Sequence, residues 1–185
     1  MANVINRTTL EQKFSVNTPD YPVDIWIINP DMSNVVGVPK KYWKIEGDLV
    51  LEMNQAEKDA VDAAHLGQHK LERYIAIDVR TDELISEGFE FPDGYEHYYS
   101  LSAEGQLNIL GAYTAKDSPY FAYPIKWPTI LDDYELSINN AATLEAFYLT
   151  AVGTVRVVRD SGTVIKEAIR AATTTAEVDA IVDPR

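Results

Sequence analysis

The sequence predicts an α+β protein: a small N-terminal β-hairpin unit, then a mainly helical domain with short antiparallel hairpins and one long C-terminal helix. Three observations lead there. Strand-like text fills the first fifty residues, a helix-capping pair stands at Asn54 and Glu57, and a four-three apolar alternation runs unbroken from Leu144 to Ile169. The seam falls near Met53, which gives an N-terminal β segment for docking or attachment over 1–53 and a helical α+β module over 54–185.

In the first segment, Val23 to Ile28 is apolar on both faces, as in a strand covered on both sides, and Asn29-Pro30-Asp31 breaks it. Tyr42 to Ile45 and Leu49 to Met53 flank Glu46-Gly47-Asp48. Trp43 and Ile45 share one face of the first strand, while Leu49, Leu51 and Met53 share one face of the second, which predicts a hairpin with one apolar side.

Asn54 can accept from a free backbone N–H while Glu57 reaches back, so a helix starts there. Along it Ala56, Ala60, Ala63, Gly67, Leu71 and Tyr74 form a stripe of small residues suited to close helix packing. Lys58, Asp62, His65, His69 and Glu72 lie opposite. The helix is expected to continue through Asp82-Glu83-Leu84-Ile85, with or without a break, and to stop at Gly88.

Phe91-Pro92-Asp93-Gly94 sets Pro and Gly where a type I turn takes them, so a second hairpin follows. Ser100 or Ser102 caps a helix towards Tyr113. The extended run Tyr123 to Thr129 contains Pro124 and Pro128, which cannot donate to a ladder, and so is an edge strand or an irregular arm returning through Asp132-Asp133 into Tyr134 to Ser137. Leu144, Tyr148, Ala151, Val155, Val158, Gly162, Ile165 and Ile169 then keep one phase across Ser161-Gly162, which predicts a single long helix with a neighbouring backbone close to Gly162. Thr174 with Glu177 caps a short last helix over Val178, Ile181 and Val182.

The 185 residues hold 16 Lys and Arg against 29 Asp and Glu, a net charge of −13. The acidity is concentrated between residues 54 and 100, with four basic and eleven acidic side chains. A field of that sign repels phosphate backbones, so no nucleic acid is expected as a partner. With no Cys there is no thiolate nucleophile or Cys-based metal site. Met1 to Leu10 has no apolar signal core, and the most apolar stretch, Ala141 to Val158, contains Glu145 and Arg156, so no membrane association is expected. No dinucleotide, P-loop, zinc-protease, nucleophile-elbow or EF-hand pattern is present. The expectation is a protein that is not an enzyme and takes no cofactor.

Three groups of residues are candidates for binding. His65 and His69, one turn apart with Asp62 and Glu72 beside them, have the spacing of a weak surface metal site or of a plain solvated face. Tyr95, His97 and Tyr99 alternate on one strand, and Tyr120, Phe121, Tyr123 and Trp127 crowd the Pro-containing run; such rims stack on sugars or contact protein, and equally pack under a loop. Arg156, Arg159, Lys166 and Arg170 form a basic stripe for an acidic partner surface, for pairing with the acidic middle helix, or for solvent.

Arg80-Thr81-Asp82-Glu83-Leu84-Ile85, Gly88-Phe89-Glu90-Phe91, Tyr99-Ser100-Leu101-Ser102 and Gln106-Leu107-Asn108 resemble a module of unknown function found in virion proteins of tailed bacteriophages. Gly153 to Ile169 and Ile169-Arg170-Ala171-Ala172 are similar to its terminal helices. Lys41-Tyr42-Trp43-Lys44, Glu52-Met53 and Gln55-Ala56-Glu57-Lys58 are similar to a hairpin-plus-helix segment of phage tail and fibre-associated proteins. The resemblance covers the chain from about Lys40 onward and transfers no active site. It implies a virion protein, made in the host bacterial cytoplasm, at a tail, baseplate, fibre-attachment or neck position. Other virion proteins and further copies of the chain would be its partners. A tail fibre assembly chaperone and a carbohydrate-binding receptor module are the alternatives. Trp26 and Trp43 would dock on a neighbour; Leu144, Tyr148, Val155, Val158, Ile165 and Ile169 would supply either the domain core or an inter-subunit seam, with Arg156 and Arg159 beside it.

Overall fold

Polar-looking text at the start of the chain folds as strand. In a computed structural model describing residues 1–185, β1 (Ala2–Asn6) is the middle strand of an antiparallel sheet ordered β2-β1-β3, with β2 at Gln12–Val16 and β3 at Trp26–Ile28. Val4 pairs with Ile28 and Ile5 with Ile27, which buries Ala2, Val4, Ile5 and Ile27. The strand expected over Val23 to Ile28 is reduced to its last three residues. The amides of Ile25 and Trp26 both turn back to the Pro22 carbonyl, and Val23 and Ile25 are exposed.

The hairpin of β4 (Trp43–Glu46) and β5 (Leu49–Glu52) is present with Trp43 and Ile45 on its packed side as expected, but the second strand turns Val50 inward instead of Leu49, Leu51 and Met53. Gly47, at φ 62, opens a two-residue turn with Asp48, and that turn sets Ile45 opposite Val50. Val50 is buried with Ile45 and Trp43 packed near it, while Leu49 is exposed. Ile5, Ile27, Val35 and Val50 form this core.

Helix α1 (Gln55–Ser86) is unbroken, and its cap forms as expected: Asn54 Oδ1 accepts from the Glu57 amide at 3.0 Å, and Glu57 accepts from the Asn54 amide at 2.7 Å. The chain divides into two compact units, Met1–Gln68 and His69–Arg185, so the division lies inside α1 rather than at Met53. The first turns of α1 belong with the hairpin because ion pairs tie them to it. Lys44 meets Glu57 at 2.9 Å, Lys41 meets Asp62 at 2.7 Å, the Tyr42 hydroxyl donates to Asp62 at 2.7 Å, and Lys58 pairs with Glu52. The Lys44 ammonium holds Glu57 below the usual carboxylate range, and Lys41 does the same for Asp62. The polar face is thus the docking face here, and Ala56, Ala60, Ala63 and Gly67 face solvent, the reverse of the expected packing stripe.

The second unit holds the rest of α1, hairpins β6–β7 (Phe89–Glu90, Tyr98–Tyr99) and β8–β9 (Ile125–Pro128, Glu135–Ile138), and helices α2 (Ala103–Ala115), α3 (Ala141–Ala171) and α4 (Thr175–Ala180). Gly88, at φ 89, follows α1 as expected. The β6–β7 connection is not the expected four-residue type I turn; the Phe91–Pro92 peptide is cis and Phe91 N–H bonds His97 O across a longer loop. Strand β8 pairs with β9 alone, with Pro128 opposite Glu135, so its other edge is open and it is the edge strand that its prolines require.

α3 is one helix, and its periodic stripe is the core of this unit. Leu144, Phe147, Ala151, Ile165 and Ile169 are buried on it, and Ile85, Phe89, Tyr99, Leu101, Ile109, Leu136 and Ile138 complete the main cluster around its first half. Gly162 is buried against side chains rather than backbone: a Cβ there would lie 2.8 Å from Thr81 Oγ1 and 2.9 Å from Arg185 Nη1. Lys70 Nζ donates to Arg170 O, and Arg185 bridges Thr81 and Val158, so this part of α1 runs antiparallel to α3. By length and composition alone α3 is apolar enough to cross a membrane. The Thr174–Glu177 box caps α4 as expected; the helix ends at Ala180, and Ile181 and Val182 follow it as extended chain.

Candidate functional site

A groove of about 720 Å³ runs between α2 and α3. Ser102 fixes where α2 begins by accepting from the Gly105 amide at 3.1 Å. Tyr113 of α2 stacks on Tyr148 of α3 with ring centroids 3.9 Å apart, which fastens the two helices together. Leu101, Ile109 and Ala151 make a buried floor. The rim is apolar and open: Leu107 is 68% exposed, Leu110 46% and Val152 45%. Val152, Arg156 and Arg159 follow one another at spacings of four and three along α3, so the apolar groove ends in two guanidiniums and the carboxylate of Asp160. Arg156 reaches Asp160 at 3.4 Å on the exposed helix surface, and Arg159 has no carboxylate within ion-pair distance. An apolar trough with a cationic end can seat an amphipathic segment that carries acidic residues at one end.

A second cluster lies where the β6–β7 and β8–β9 loops meet. His97 Nδ1 is 3.0 Å from Asp132 Oδ2, and the His97 ring stacks on Tyr134 at 3.9 Å and 1°. Asp132 also accepts from the Thr129 hydroxyl and from the Tyr134 amide; the Thr129 bond, then the Tyr134 bond, hold its carboxyl below the usual range. This arrangement closes the β8–β9 turn and pins the two loops together.

The remaining sequence-predicted residues fall as follows. Leu144, Ile165 and Ile169, expected as core or inter-subunit seam, are buried within the chain, and Val158 packs on the main cluster. Tyr148 and Val155 are half-buried in the groove wall. Trp43 packs inside the first unit and donates its indole N–H to Val38 O at 2.9 Å; Trp26 sits edge-on to Tyr21 at 5.1 Å under Lys13. Both tryptophans are half-buried. The aromatic rim does not assemble: Tyr120 is fully out, whereas Tyr123 hydrogen-bonds Lys116 O and Trp127 packs on Phe147 at 5.2 Å. Tyr99 is buried in the core, away from exposed Tyr95. His65 is exposed, and His69 contacts Asp179 at 2.8 Å; no three His, Asp or Glu side chains come together in a way that could hold a metal ion. Of the basic stripe, Lys166 pairs with Asp78 of α1, as the internal-pairing reading expects. Leu107 and Leu110, which complete the groove, escaped sequence reasoning because their meaning depends on α2 lying beside α3.

Residues 68–182 match a family described as a domain of unknown function, DUF4376. The chain belongs to the DUF4376 family. The DUF4376 segment coincides closely with the second compact unit and contains the whole groove. Comparison with curated proteins finds no match, and neither does comparison with solved structures.

Proposed function

We propose that this DUF4376 protein is a structural component of a tailed bacteriophage virion that acts through protein–protein contacts, at a tail, baseplate, fibre-attachment or neck position. The observation that carries the reading is the groove between α2 and α3, whose exposed Leu107, Leu110 and Val152 lead to Arg156 and Arg159. Half-exposed leucine and valine around a trough are costly in water unless a partner covers them, at about 25 cal/mol per Å² of apolar surface. The likeness of the Arg80-to-Asn108 and Gly153-to-Ala172 runs to phage virion modules supplies the particle as the place where such a partner is found. In this reading the protein has no catalytic task, and its partners are other virion proteins and copies of itself.

Mass spectrometry of purified virions tests the proposal. The chain is expected among the particle proteins at a fixed stoichiometry. If it is abundant in infected cells and missing from finished particles, the structural reading fails and an assembly chaperone takes its place.

A further inference from the structure

Helix α1 carries the complement of the groove. Leu71, Ile75 and Val79 recur every four residues, and all three are about half exposed, at 51, 55 and 53%. Asp82 follows three residues later on the same face; it is exposed and has no partner in the chain. Three apolar anchors followed by one carboxylate are therefore laid out along α1. α2 runs antiparallel to α3, with Tyr113 stacked on Tyr148, so from that end the groove presents Leu110 and Val152, then Leu107 and Arg156, then Arg159 with Asp160 beside it. Leu71 to Asp82 and Tyr148 to Arg159 are each eleven residues apart, about 16.5 Å at 1.5 Å per residue, so the stripe and the α3 wall of the groove match in length.

We propose that the occupant of the α2/α3 groove is helix α1 of a second copy of this chain. Leu71 of one copy lies at the Tyr113–Tyr148 end of the next copy's groove, Ile75 on Leu110 and Val152, Val79 on Leu107, and Asp82 at Arg156 and Arg159. The charge pattern selects this occupant: in a protein of net charge −13 the free guanidinium of Arg159 calls for a carboxylate, and Asp82 ends an apolar stripe of the right length. Because the two patches are different surfaces, the contact is made twice in a two-fold dimer or repeated head to tail in a ring or an open filament. The inference names the surfaces by which copies would join under the proposed function and rests on that reading only for its setting.

The test is sedimentation velocity of the full-length protein over a wide concentration range, with helix content checked by circular dichroism. Self-association is expected, weakening as salt rises. Ile75→Asp and Leu107→Asp, both at exposed positions, each weaken it at least about tenfold. Asp82→Arg and Arg159→Asp each weaken it as well, and the Asp82→Arg/Arg159→Asp double variant recovers it, which a general loss of solubility or folding would not do. A protein that stays monomeric throughout, or an association indifferent to both charge swaps, or a double variant no better than either single, overturns the proposal. These outcomes are separate from virion composition: a chain found in particles that is monomeric in solution rejects this contact and leaves the proposed function standing.

Discussion

The guanidinium of Arg185 lies against the bare α-carbon of Gly162. Nη1 would be 2.9 Å from a Cβ there and is bonded to Thr81 Oγ1 at 3.0 Å and to Val158 O at 3.3 Å. An alanine in the middle of a helix normally gains about 1 kcal/mol over glycine. Here it displaces both the guanidinium and the Thr81 hydroxyl, so Gly162→Ala is expected to lower stability by a net 1–2 kcal/mol, roughly, read from the urea midpoint. A higher midpoint would refute the close packing.

The same arginine controls Asp183. Its hydrogen bonds hold the Asp183 carboxyl at about 2, below the ordinary 3.8, and both side chains are largely covered. The unfolded carboxyl takes its proton first as pH falls, so this contribution is complete above about pH 4 and disappears towards pH 2. Asp183→Asn is expected to cost about 1 kcal/mol at neutral pH, discounted for solvent screening, and to flatten the stability profile across that acidic window. An unchanged acid limb would reject the pairing.

Phe147 is the ring around which the second unit packs. Phe89, Phe91, Tyr99 and Trp127 surround it with centroids 4.9, 5.3, 5.1 and 5.2 Å away. Phe147→Ala removes a fully buried side chain from four aromatic contacts and is expected to cost about 3–5 kcal/mol, with loss of the near-ultraviolet circular dichroism of Trp127. A cost under about 1 kcal/mol would show that the cluster is not the core of this unit.

Tyr99 presents the opposite case, a buried hydroxyl with no hydrogen-bond partner. Burial pushes the phenol up to about 12 from 10.0. The folded state therefore keeps its proton where the unfolded state has lost it, and stability falls as pH rises from 10 towards 12. Tyr99→Phe is expected to raise stability by about 1 kcal/mol at neutral pH and to remove part of the alkaline loss. Destabilisation instead would mean that the hydroxyl has a partner, such as an ordered water.

What the sequence made legible was local. The Asn54–Glu57 and Thr174–Glu177 boxes need only residues three apart, and the α3 stripe repeats for seven turns, so both survive without knowledge of the rest of the chain. The face of β5 was lost to a single residue, while that of Trp43 and Ile45 was read correctly. Reading Glu46-Gly47-Asp48 as the loop puts Leu49 inside, whereas the two-residue turn puts Val50 there, and a slip of one inverts every side chain. β1 was invisible because its burial comes from pairing with Ile27 and Ile28, more than twenty residues away. The outward alanine stripe of α1 was misread because packing is set there by lysines of the hairpin, not by apolar spacing. Half of the groove, Arg156 and Arg159, was marked by periodicity; the α2 leucines acquire a role only through their neighbour.

Helix α1 passes without interruption through Gln68 and His69, where one unit gives way to the other. The matched DUF4376 segment therefore opens in mid-helix, fourteen residues beyond Asn54. A fragment cut at that point would start with four bare amides and no acceptor for them. Anyone excising the domain should graft a Ser or Asp ahead of residue 68, or retain the native start of the helix, before attributing poor behaviour of the piece to the fold itself.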